Sequence, residues 1–317
     1  MPAHSLHQVT SDSAHFGWDN SIDAVVEVES GQEVELEARD ASGGQLDQDS
    51  EVSAVAALDF SRVNPVTGPV FVKGARPGDV LAVDILKLRP PSWGWTAIIP
   101  GFGLLSDEFP DPWLRISEVD EAAGIVRFGA GVVLPYDPFP GTIGVAPDEP
   151  GMHSVVPPRK WGGNMDIRHL RAGTTLFLPV AVEGALFSVG DTHAAMGDGE
   201  VCGTAVEAPM NITVRLGVRS DLRVEAPQYV VPREAVPPQP GPRTSYVCTG
   251  VGPDLWEATR DAVRALIEHM VEHRGRDRQE AYAIASVAAD LRIHEVVDAP
   301  NWMVGAFLPL DIFAEDA

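Results

Sequence analysis

The 317-residue sequence contains only two cysteines and no long hydrophobic run. Cys202 and Cys248 are too few for a disulfide framework, so we expect a protein of a reducing compartment. No apolar stretch approaches the ~18 residues that a membrane span requires. The first residues include His4 and His7 and lack the apolar centre of a signal peptide. Together these absences predict a cytoplasmic protein that does not enter a membrane.

Positive charge is also scarce. The chain has 23 basic and 46 acidic residues, which gives a formal net charge of −23 at pH 7. Such a surface repels phosphate backbones and anionic lipid headgroups, so roles on nucleic acids and on membrane surfaces are disfavoured. An acidic chain is compatible with divalent cations, although most of these carboxylates must be solvated.

Turn-forming residues, in contrast, are abundant, with 30 glycines and 27 prolines. Apolar and polar residues alternate over residues 33–38 and again over 211–218, which is the period of a half-buried strand. We therefore predict a mainly β protein. The C-terminal segment is expected to be α+β.

Helical periodicity appears only near the C-terminus. Apolar residues of 255–271 fall on one stripe, with Pro253 before them and Gly275 after them. A second helix is predicted from Asp277 to about Leu291, because Asp277 and Glu280 have the spacing of a capping box. The remainder, to residue 310, is predicted to be an edge strand and a tail.

Three chain segments are expected to pack as one structural unit. Residues 1–160 form a β-rich part, 161–220 supply the central strands that carry the site, and 221–317 form the α+β part. Residues 1–10 are predicted to be a loose end, and 45–63 to cross over the body without clear periodicity. The aromatic, proline-rich residues 90–112 either wall a pocket or pack into the core. Residues 231–242 are predicted to be a stiff surface connection.

Polar side chains that suit catalysis concentrate in residues 162–207, at both ends of an apolar segment. This layout predicts two short strands joined by a turn, which deliver acids and an imidazole to one place. The candidates are Asn164, Asp166, Asp191, His193, Asp198, Glu200, Cys202 and Glu207.

Asp191-Thr-His193 places a carboxylate and an imidazole at i and i+2, on one face of an extended strand. These ligands suit Zn²⁺ or a similar divalent ion, and Asp166 and Glu207 are the further candidate ligands. These residues would form a metal-assisted hydrolytic site. Such an ion lowers the pKa of its bound water towards ~7, and Glu200 would then take the proton of this water and return it to the leaving amine. The alternative is that these acids are turn residues and that His193 is satisfied by a backbone carbonyl.

The neighbouring residues supply further candidates. Asp198, in the Gly-Asp-Gly-Glu loop, is a second candidate catalytic acid. Cys202 offers a rival mechanism as a cysteine nucleophile, although a small buried cysteine is the competing interpretation. His15 in a His-Phe-Gly-Trp-Asp-Asn group and Asp40 at a strand end are candidate substrate contacts, as is Asn164. His15 and Asp40 also have purely structural alternatives, as an exposed histidine and as an acid that only closes a turn.

The sequence resembles the acetamidase/formamidase family. The resemblance rests on the run from 162 to 166, on the run from 178 to 200 with its Gly-Asp-Thr-His and Gly-Asp-Gly-Glu, and on Gly-Trp-Asp-Asn at 17–20. It also includes Asp-Ala-Ser-Gly-Gly at 40–44, Gly-Thr-Ile-Gly-Val-Ala-Pro at 141–147, and residues 280–291. It implies hydrolysis of short aliphatic amides to acid and ammonia, and a homodimer or larger assembly. The fold that it implies is a β-sandwich, jelly-roll-like body with a second β-barrel-like part, beside the C-terminal α+β segment. It also implies a divalent metal, with Zn first and Ca as the alternative; a lactam-opening hydrolase is among the relatives.

One residue departs from the pattern of the family. Met196 stands where glutamine is expected, and a thioether in contact with substrate would favour a bulkier or less polar amide than formamide. The leading hypothesis is a metal-dependent amidase. The alternatives are the Cys202 amidase and a non-catalytic relative that binds a small molecule.

Overall fold

The computed structural model describes residues 6–129, 131–231, 244–296 and 300–314. Three helices lie within these ranges: α1 Val52–Ala56, α2 Leu255–Arg274 and α3 Arg278–Ala288. The strands of these ranges are β1 His7–Val9, β2 Ala14–His15, β3 Val26–Val28, β4 Gln32–Ala38, β5 Val66–Val72, β6 Val80–Arg89, β7 Trp93–Ile98, β8 Trp113–Asp120, β9 Ile125–Gly129, β10 Val132–Pro135, β11 Phe139–Gly144, β12 Gly162–Asn164, β13 Thr175–Pro179, β14 Phe187–Ala195, β15 Val206–Glu207, β16 Met210–Arg219, β17 Gln228–Val230, β18 Ser245–Gly252, β19 Asp290–Glu295 and β20 Trp302–Pro309.

The strands form three sheets. One has the order β1-β4-β16-β6-β13-β17. The second has eleven strands, in the order β10-β9-β8-β7-β15-β14-β11-β12, with β5 pairing β14, β2 and β3 beside this path. The third is β18-β20-β19. The predicted mainly β class is confirmed. Among the described residues no sheet closes on itself, so the part predicted to be barrel-like consists of open sheets.

One hydrophobic core joins the two larger sheets. Leu36 and Ile85 from the six-stranded sheet and Ile143 and Val189 from the eleven-stranded sheet are all completely buried in it. Alternating side chains of facing sheets produce such a core in sandwich folds. Strands of the middle chain segment pair with strands of the first in both sheets: β13 with β6 in the six-stranded sheet and β14 with β5 and β11 in the eleven-stranded sheet. We therefore keep the proposal of three segments, 1–160, 161–220 and 221–317, within one structural unit.

The C-terminal part has the two predicted helices. Asp254 and Asp277 cap α2 and α3 by accepting hydrogen bonds from backbone N–H groups three residues on. Gly275 ends α2 in the left-handed conformation with φ 62°, as its position predicts. The side chain of Glu280 pairs with Arg115, with 2.8 Å between Oε1 and Nη2. This acid therefore ties α3 to the eleven-stranded sheet.

Several local predictions need correction because they depend on distant pairing partners. The predicted hairpin of residues 162–207 is absent: β13 and β14 lie in different sheets. The supposed edge strand near the C-terminus, β20, is the central strand of its sheet. The supposed loose end contains β1, which pairs in parallel with β4. The segment 45–63 contains α1.

The predicted proline-rich connection at 231–242 lies, except for residue 231, outside the described residues. A search of the described helices finds none that combines the length and apolarity needed to cross a bilayer.

Candidate active site

Four acidic side chains surround the buried imidazole of His193. Its Nε2 lies 3.2 Å from Glu207 Oε2, 3.4 Å from Asp191 Oδ1 and 4.0 Å from Glu200 Oε1. One oxygen of Asp166 also lies within 4.8 Å of the ligand atoms of Asp191 and His193. The structure therefore brings together five of the residues that the sequence singled out, and we name them the acid–imidazole cluster.

Strand pairing explains how distant residues meet there. His193 on β14 lies opposite Glu207 on β15. On its other side, β14 pairs with β11, and β11 pairs with β12. Strand β12 ends at Asn164, two residues before Asp166. Gly141 of β11 lies beneath the cluster, where a Cβ atom would come within 2.6 Å of Asp166 Oδ1 and of His193 Cε1. Asp166 and His193 therefore have room only because Gly141 has no side chain.

Three residues of the cluster have unusual backbone conformations. Asp166 and Asp191 have a φ of 50° and Glu200 a φ of 43°, all in the left-handed region. Aspartate tolerates this region better than most residues. Strained conformations cost about 1–3 kcal/mol each and concentrate at functional sites. No pattern in the sequence indicated this strain.

Crowded, buried carboxylates alter the acidity of the cluster. Removal from water raises the pKa of Asp166 and of Glu207 to about 7 in each case, and the neighbouring carboxylates add to the effect. Burial likewise raises the pKa of Glu200 well above its usual range. For His193, burial lowers the pKa, but the carboxylates of Glu207 and Asp191 outweigh this and hold it well above the usual value. The raised pKa values mean that the cluster holds protons more tightly than isolated side chains would. These protons reduce its negative charge, as a bound cation would.

Two polar atoms of the cluster are buried without a hydrogen-bond partner: Asp166 Oδ1 and His193 Nδ1. Glu207 Oε2 has the His193 Nε2 contact of 3.2 Å beside it. An unsatisfied buried polar atom costs about 1–3 kcal/mol. Carboxylate oxygens and an imidazole nitrogen are ligands of Zn²⁺, whereas Ca²⁺ prefers oxygen ligands alone. The residues present therefore fit a divalent cation, and the imidazole favours a zinc-like ion over calcium.

A cavity of about 130 Å³ opens onto the cluster. Its polar lining includes Asn64, Asn164, Asp191, Glu200 and Glu207. Asn64 Nδ2 donates to Asp191 Oδ2 over 3.2 Å. A small molecule in this cavity would reach the carboxylates and both amides.

Sequence reasoning missed Asn64, because it stands in an Asn-Pro turn and has no metal-ligating or catalytic signature. Its φ of 47° marks it as another left-handed residue. A single hydroxyl, that of Thr142, lies 2.7 Å from Asn164 Oδ1 and 3.1 Å from Asp191 Oδ2. Asn64 and Thr142 therefore hold the cavity-lining side chains of Asp191 and Asn164 in place.

Four other predicted site residues do not line the cavity. Asp198 lies two residues before Glu200, but its charged neighbours are Asp290 and Arg168. Its backbone N–H donates to Asp290 Oδ1 over 3.2 Å. Met196 packs with Phe139 in an apolar cluster. Its position away from the cavity removes the argument that a thioether selects the substrate.

The remaining two of these four have structural partners. His15 is linked to Ser188 Oγ at 2.9 Å and to the Gly17 carbonyl at 2.7 Å. Asp40 Oδ1 accepts a hydrogen bond of 3.0 Å from Trp95 Nε1, and Trp95 itself lines the cavity. Asp40 therefore holds a wall residue instead of facing the cavity.

The thiol of Cys202 is completely buried. Its Sγ lies 3.5 Å from the carbonyl oxygen of Ala97, and burial raises the pKa of the thiol. The nucleophile of cysteine enzymes is the thiolate. A buried thiol of raised pKa outside the cavity lining is the structural cysteine of the competing interpretation, and the Cys202 mechanism is disfavoured.

Helix α3 holds the loop that carries Glu200. Tyr282 donates its hydroxyl proton to the Val201 carbonyl and accepts from the Leu105 N–H. Ser286 Oγ donates to the Thr204 carbonyl over 2.7 Å and accepts from the Cys202 N–H over 3.1 Å. The C-terminal part thus fixes one side of the site.

The chain is similar to known proteins along most of its length. The sequence profile of the Acetamidase/Formamidase family matches residues 4–155 and 150–315. A formamidase from Methylophilus methylotrophus is 26% identical over 369 aligned positions, which cover 95% of this chain and 90% of the relative. An acetamidase from Mycolicibacterium smegmatis is 30% identical over 251 positions, 60% of this chain and 62% of that protein.

A solved structure has the same fold. The gamma lactamase from Delftia acidovorans superimposes with a TM-score of 0.87 at 27% identity, covering 95% of this chain and 89% of that one. The resemblance found in the sequence is confirmed. The chain belongs to the acetamidase/formamidase family.

Proposed function

We propose that this protein hydrolyses the C–N bond of small aliphatic amides to a carboxylate and ammonia, with a divalent cation held by the acid–imidazole cluster. Family membership supports the amidase activity. The observation that carries the mechanism is the set of buried, unpartnered oxygen and nitrogen atoms beside the cavity. A non-catalytic binding protein would gain nothing from these uncompensated groups.

The ligands we propose are Asp191, His193, Asp166 and Glu207, and zinc is the first candidate ion. When bound, such an ion supplies Lewis-acid polarisation of the amide carbonyl and lowers the pKa of a water towards ~7. Glu200 lines the cavity, and burial raises the pKa of its carboxyl group. A raised pKa makes the carboxylate of Glu200 a stronger base. In this form it accepts the proton of the attacking water, and it then returns the proton to the departing nitrogen.

Positioning of the substrate falls to the amides. The Oδ1 of Asn164 is occupied by the Thr142 hydroxyl, so its amide N–H groups are the donors left for the substrate carbonyl. Asn64 holds Asp191. Holding the carbonyl carbon and the water close together in this way makes the attack effectively intramolecular.

The test is ammonia release from formamide, acetamide, propionamide and a γ-lactam, before and after chelation, together with metal analysis of the purified protein. We expect activity that chelation removes, that zinc restores, and that His193→Ala abolishes while Cys202→Ala retains it. Activity insensitive to chelation and to His193→Ala but lost in Cys202→Ala would establish the cysteine mechanism instead. Absence of turnover on every amide, with zinc present, would favour the binding role.

The role of Glu200 has a separate test. We expect Glu200→Gln to lower kcat about 10²–10⁴-fold, the usual contribution of general acid–base catalysis, with metal content unchanged. A loss of metal in this variant would reassign Glu200 to the ligands, because it also lies within reach of His193 and Glu207.

The cytoplasmic location and a homodimeric or larger assembly stay proposals. The scarcity of cysteine supports the first. Light scattering of the purified protein tests the second.

A further inference from the structure

The cavity has two chemically different parts. Its inner end carries the carboxylates and amides described above. The rest of its wall is apolar and comes from three separate stretches of the chain, with no member of the acid–imidazole cluster among them. We name this the apolar wall: Leu58, Phe60, Val63, Trp95, Ile99, Phe102 and Val156.

Three members of the apolar wall are unusually exposed for large apolar residues. Phe60 is 57% exposed, Phe102 40% and Val156 39%. They lie far apart in sequence, and all three line this cavity. An exposed apolar patch around a concave site indicates a surface that an apolar ligand covers.

The size of the cavity exceeds what the smallest amides need. A water molecule needs about 10–15 Å³ of such space, so a cavity of about 130 Å³ holds roughly ten atoms of that size. Formamide and acetamide, with three and four heavy atoms, would leave much of it filled by water. An acyl group of about four to six carbons would fill the cavity and displace water from the apolar wall.

Charge narrows the ligand further. The described residues that line the cavity include Asp191, Glu200 and Glu207 but no lysine or arginine. A substrate with its own carboxylate would meet an apolar wall without a counter-ion, and burial of an unpaired charge is costly.

Building on the proposed amidase function, we infer that the preferred substrates are neutral primary amides with an apolar acyl chain or ring of about four to six carbons. The amide group lies at the acid–imidazole cluster and the acyl group against the apolar wall. Formamide lacks the part that the wall would bind. Phe60 is then a specificity-determining residue, although it lies outside the cluster.

The test is a series of amides measured with the zinc-loaded protein: formamide, acetamide, butyramide, hexanamide and cyclohexanecarboxamide. Each buried methylene is worth about fourfold in binding, so kcat/KM should rise on the order of 10²-fold from acetamide to hexanamide. The monoamide of adipic acid matches hexanamide in length but ends in a carboxylate, and we expect it to be turned over at least about tenfold less efficiently.

Phe60→Ala tests the apolar wall directly, because so exposed a ring can be removed without opening the core. We expect kcat/KM for hexanamide to fall about tenfold and that for formamide to stay within about twofold. The matched control is Val52→Ala, which shortens an exposed apolar residue of α1 that does not line the cavity. It should leave the whole series unchanged.

A binding measurement makes the test independent of turnover. In saturation-transfer NMR with chelator-treated protein and hexanamide, the terminal methyl group should receive the strongest saturation, and Phe60→Ala should weaken it. Uniform weak saturation along the chain would contradict the proposed contact.

The other outcomes separate this inference from the proposed function. Turnover that is fastest with formamide and falls with chain length would overturn the inference and leave the amidase function standing. Absence of turnover throughout the series would remove the amidase function itself. If Phe60→Ala changed the oligomeric state and left the amide profile unaltered, the exposed residues would belong to a contact between copies of the chain, and the inference would be wrong.

Discussion

Two long strands of this protein, β14 and β16, follow different rules. In β16 the side chains of Ile212, Val214 and Leu216 are completely buried, and Arg215 between them is exposed. Its pairing with β4 has no register shift, and its pairing with β6 has one, between Thr213 and Val214. All nine residues of β14 are buried, and its pairing shifts register against both β5 and β15. It also contains Asp191 in the left-handed conformation.

The difference separates what makes the fold from what makes the site. An alternating strand satisfies its hydrogen bonds and its apolar face together, so each residue stabilises the sheet. In β14, polar groups are buried where they repel one another, and the surrounding sheets must supply the stability that this costs. Substitutions in the two strands should therefore affect different properties.

The largest effect is expected from His193→Ala on β14. Loss of this ligand should lower kcat/KM at least about 10³-fold, which corresponds to about 4 kcal/mol of the activation barrier. The protein should stay folded, because the neighbouring sheet pairing is retained. Metal content and amide turnover are the measurements, and His273→Ala, an exposed histidine of α2, is the control. Full activity of His193→Ala would remove β14 from the chemistry.

In β16 we expect the reverse. Ile212→Ala removes a completely buried side chain and should lower the free energy of unfolding by about 2–5 kcal/mol. The activity per folded molecule should be unchanged, since β16 contributes no residue to the cavity lining. Urea unfolding and turnover of the same sample test both statements. A fall in specific activity without a loss of stability would contradict the division between the strands.

The pH dependence of stability tests the crowding of acids around β14. Burial raises the pKa of folded Glu207 to about 7, whereas glutamate in an unfolded chain titrates near ~4.3. Between these values the folded protein holds a proton that the unfolded chain has lost, so stability falls as the pH rises. The raised pKa values of Asp166, Glu200 and His193 act in the same direction.

With chelator present, we therefore expect the free energy of unfolding to fall from about pH 4.5 to pH 7. Glu207→Gln should reduce this fall by on the order of 3 kcal/mol, and zinc should restore stability at pH 8. Denaturant unfolding across this pH range is the measurement. A wild-type profile that stays flat without metal would show that the acids are not crowded in solution.

The smallest effects come from a matched pair of glycines. In β14, a Cβ at Gly190 would lie 2.1 Å from the carbonyl oxygen of Pro65, next to Asn64. In β16, a Cβ at Gly217 would meet only the Ala82 carbonyl oxygen, at 3.8 Å. Gly190→Ala should cost about 1–3 kcal/mol, and it should also lower activity, because it displaces the segment that holds Asp191.

Gly217→Ala should be neutral or stabilising by less than about 1 kcal/mol. Thermal unfolding of the two variants gives the comparison. Equal effects would show that the backbone fits no more tightly around β14 than around β16.

The features that the sequence predicted are those that local rules determine. The alternation of β16 and the cap Asp277 depend on neighbouring residues only, and the sequence predicts both. The clustering of Asp191, His193 and Glu207 was predicted because metal-ligating residue types lie close together in the chain.

The rest depends on long-range pairing or on side-chain direction. The central place of β20 depends on its pairing with β18, which lies before α2 and α3 in the chain. Asn64 and Phe60 reach the cavity from a segment without periodicity. Asp198 was a candidate acid because it is close in sequence to Glu200, yet in the structure it lies beside Asp290 and does not line the cavity. Proximity in sequence does not fix direction in a loop.

The contacts from Tyr282 and Ser286 to the Glu200 loop have a consequence for biosynthesis. At about 5–20 residues per second, roughly 4–16 s pass on the ribosome between the addition of Glu207 and that of α3. During that interval the nascent chain already contains every proposed ligand but lacks the helix that holds Glu200 in place. The enzyme is therefore expected to acquire its activity only after α3 has been synthesised and has packed against this loop.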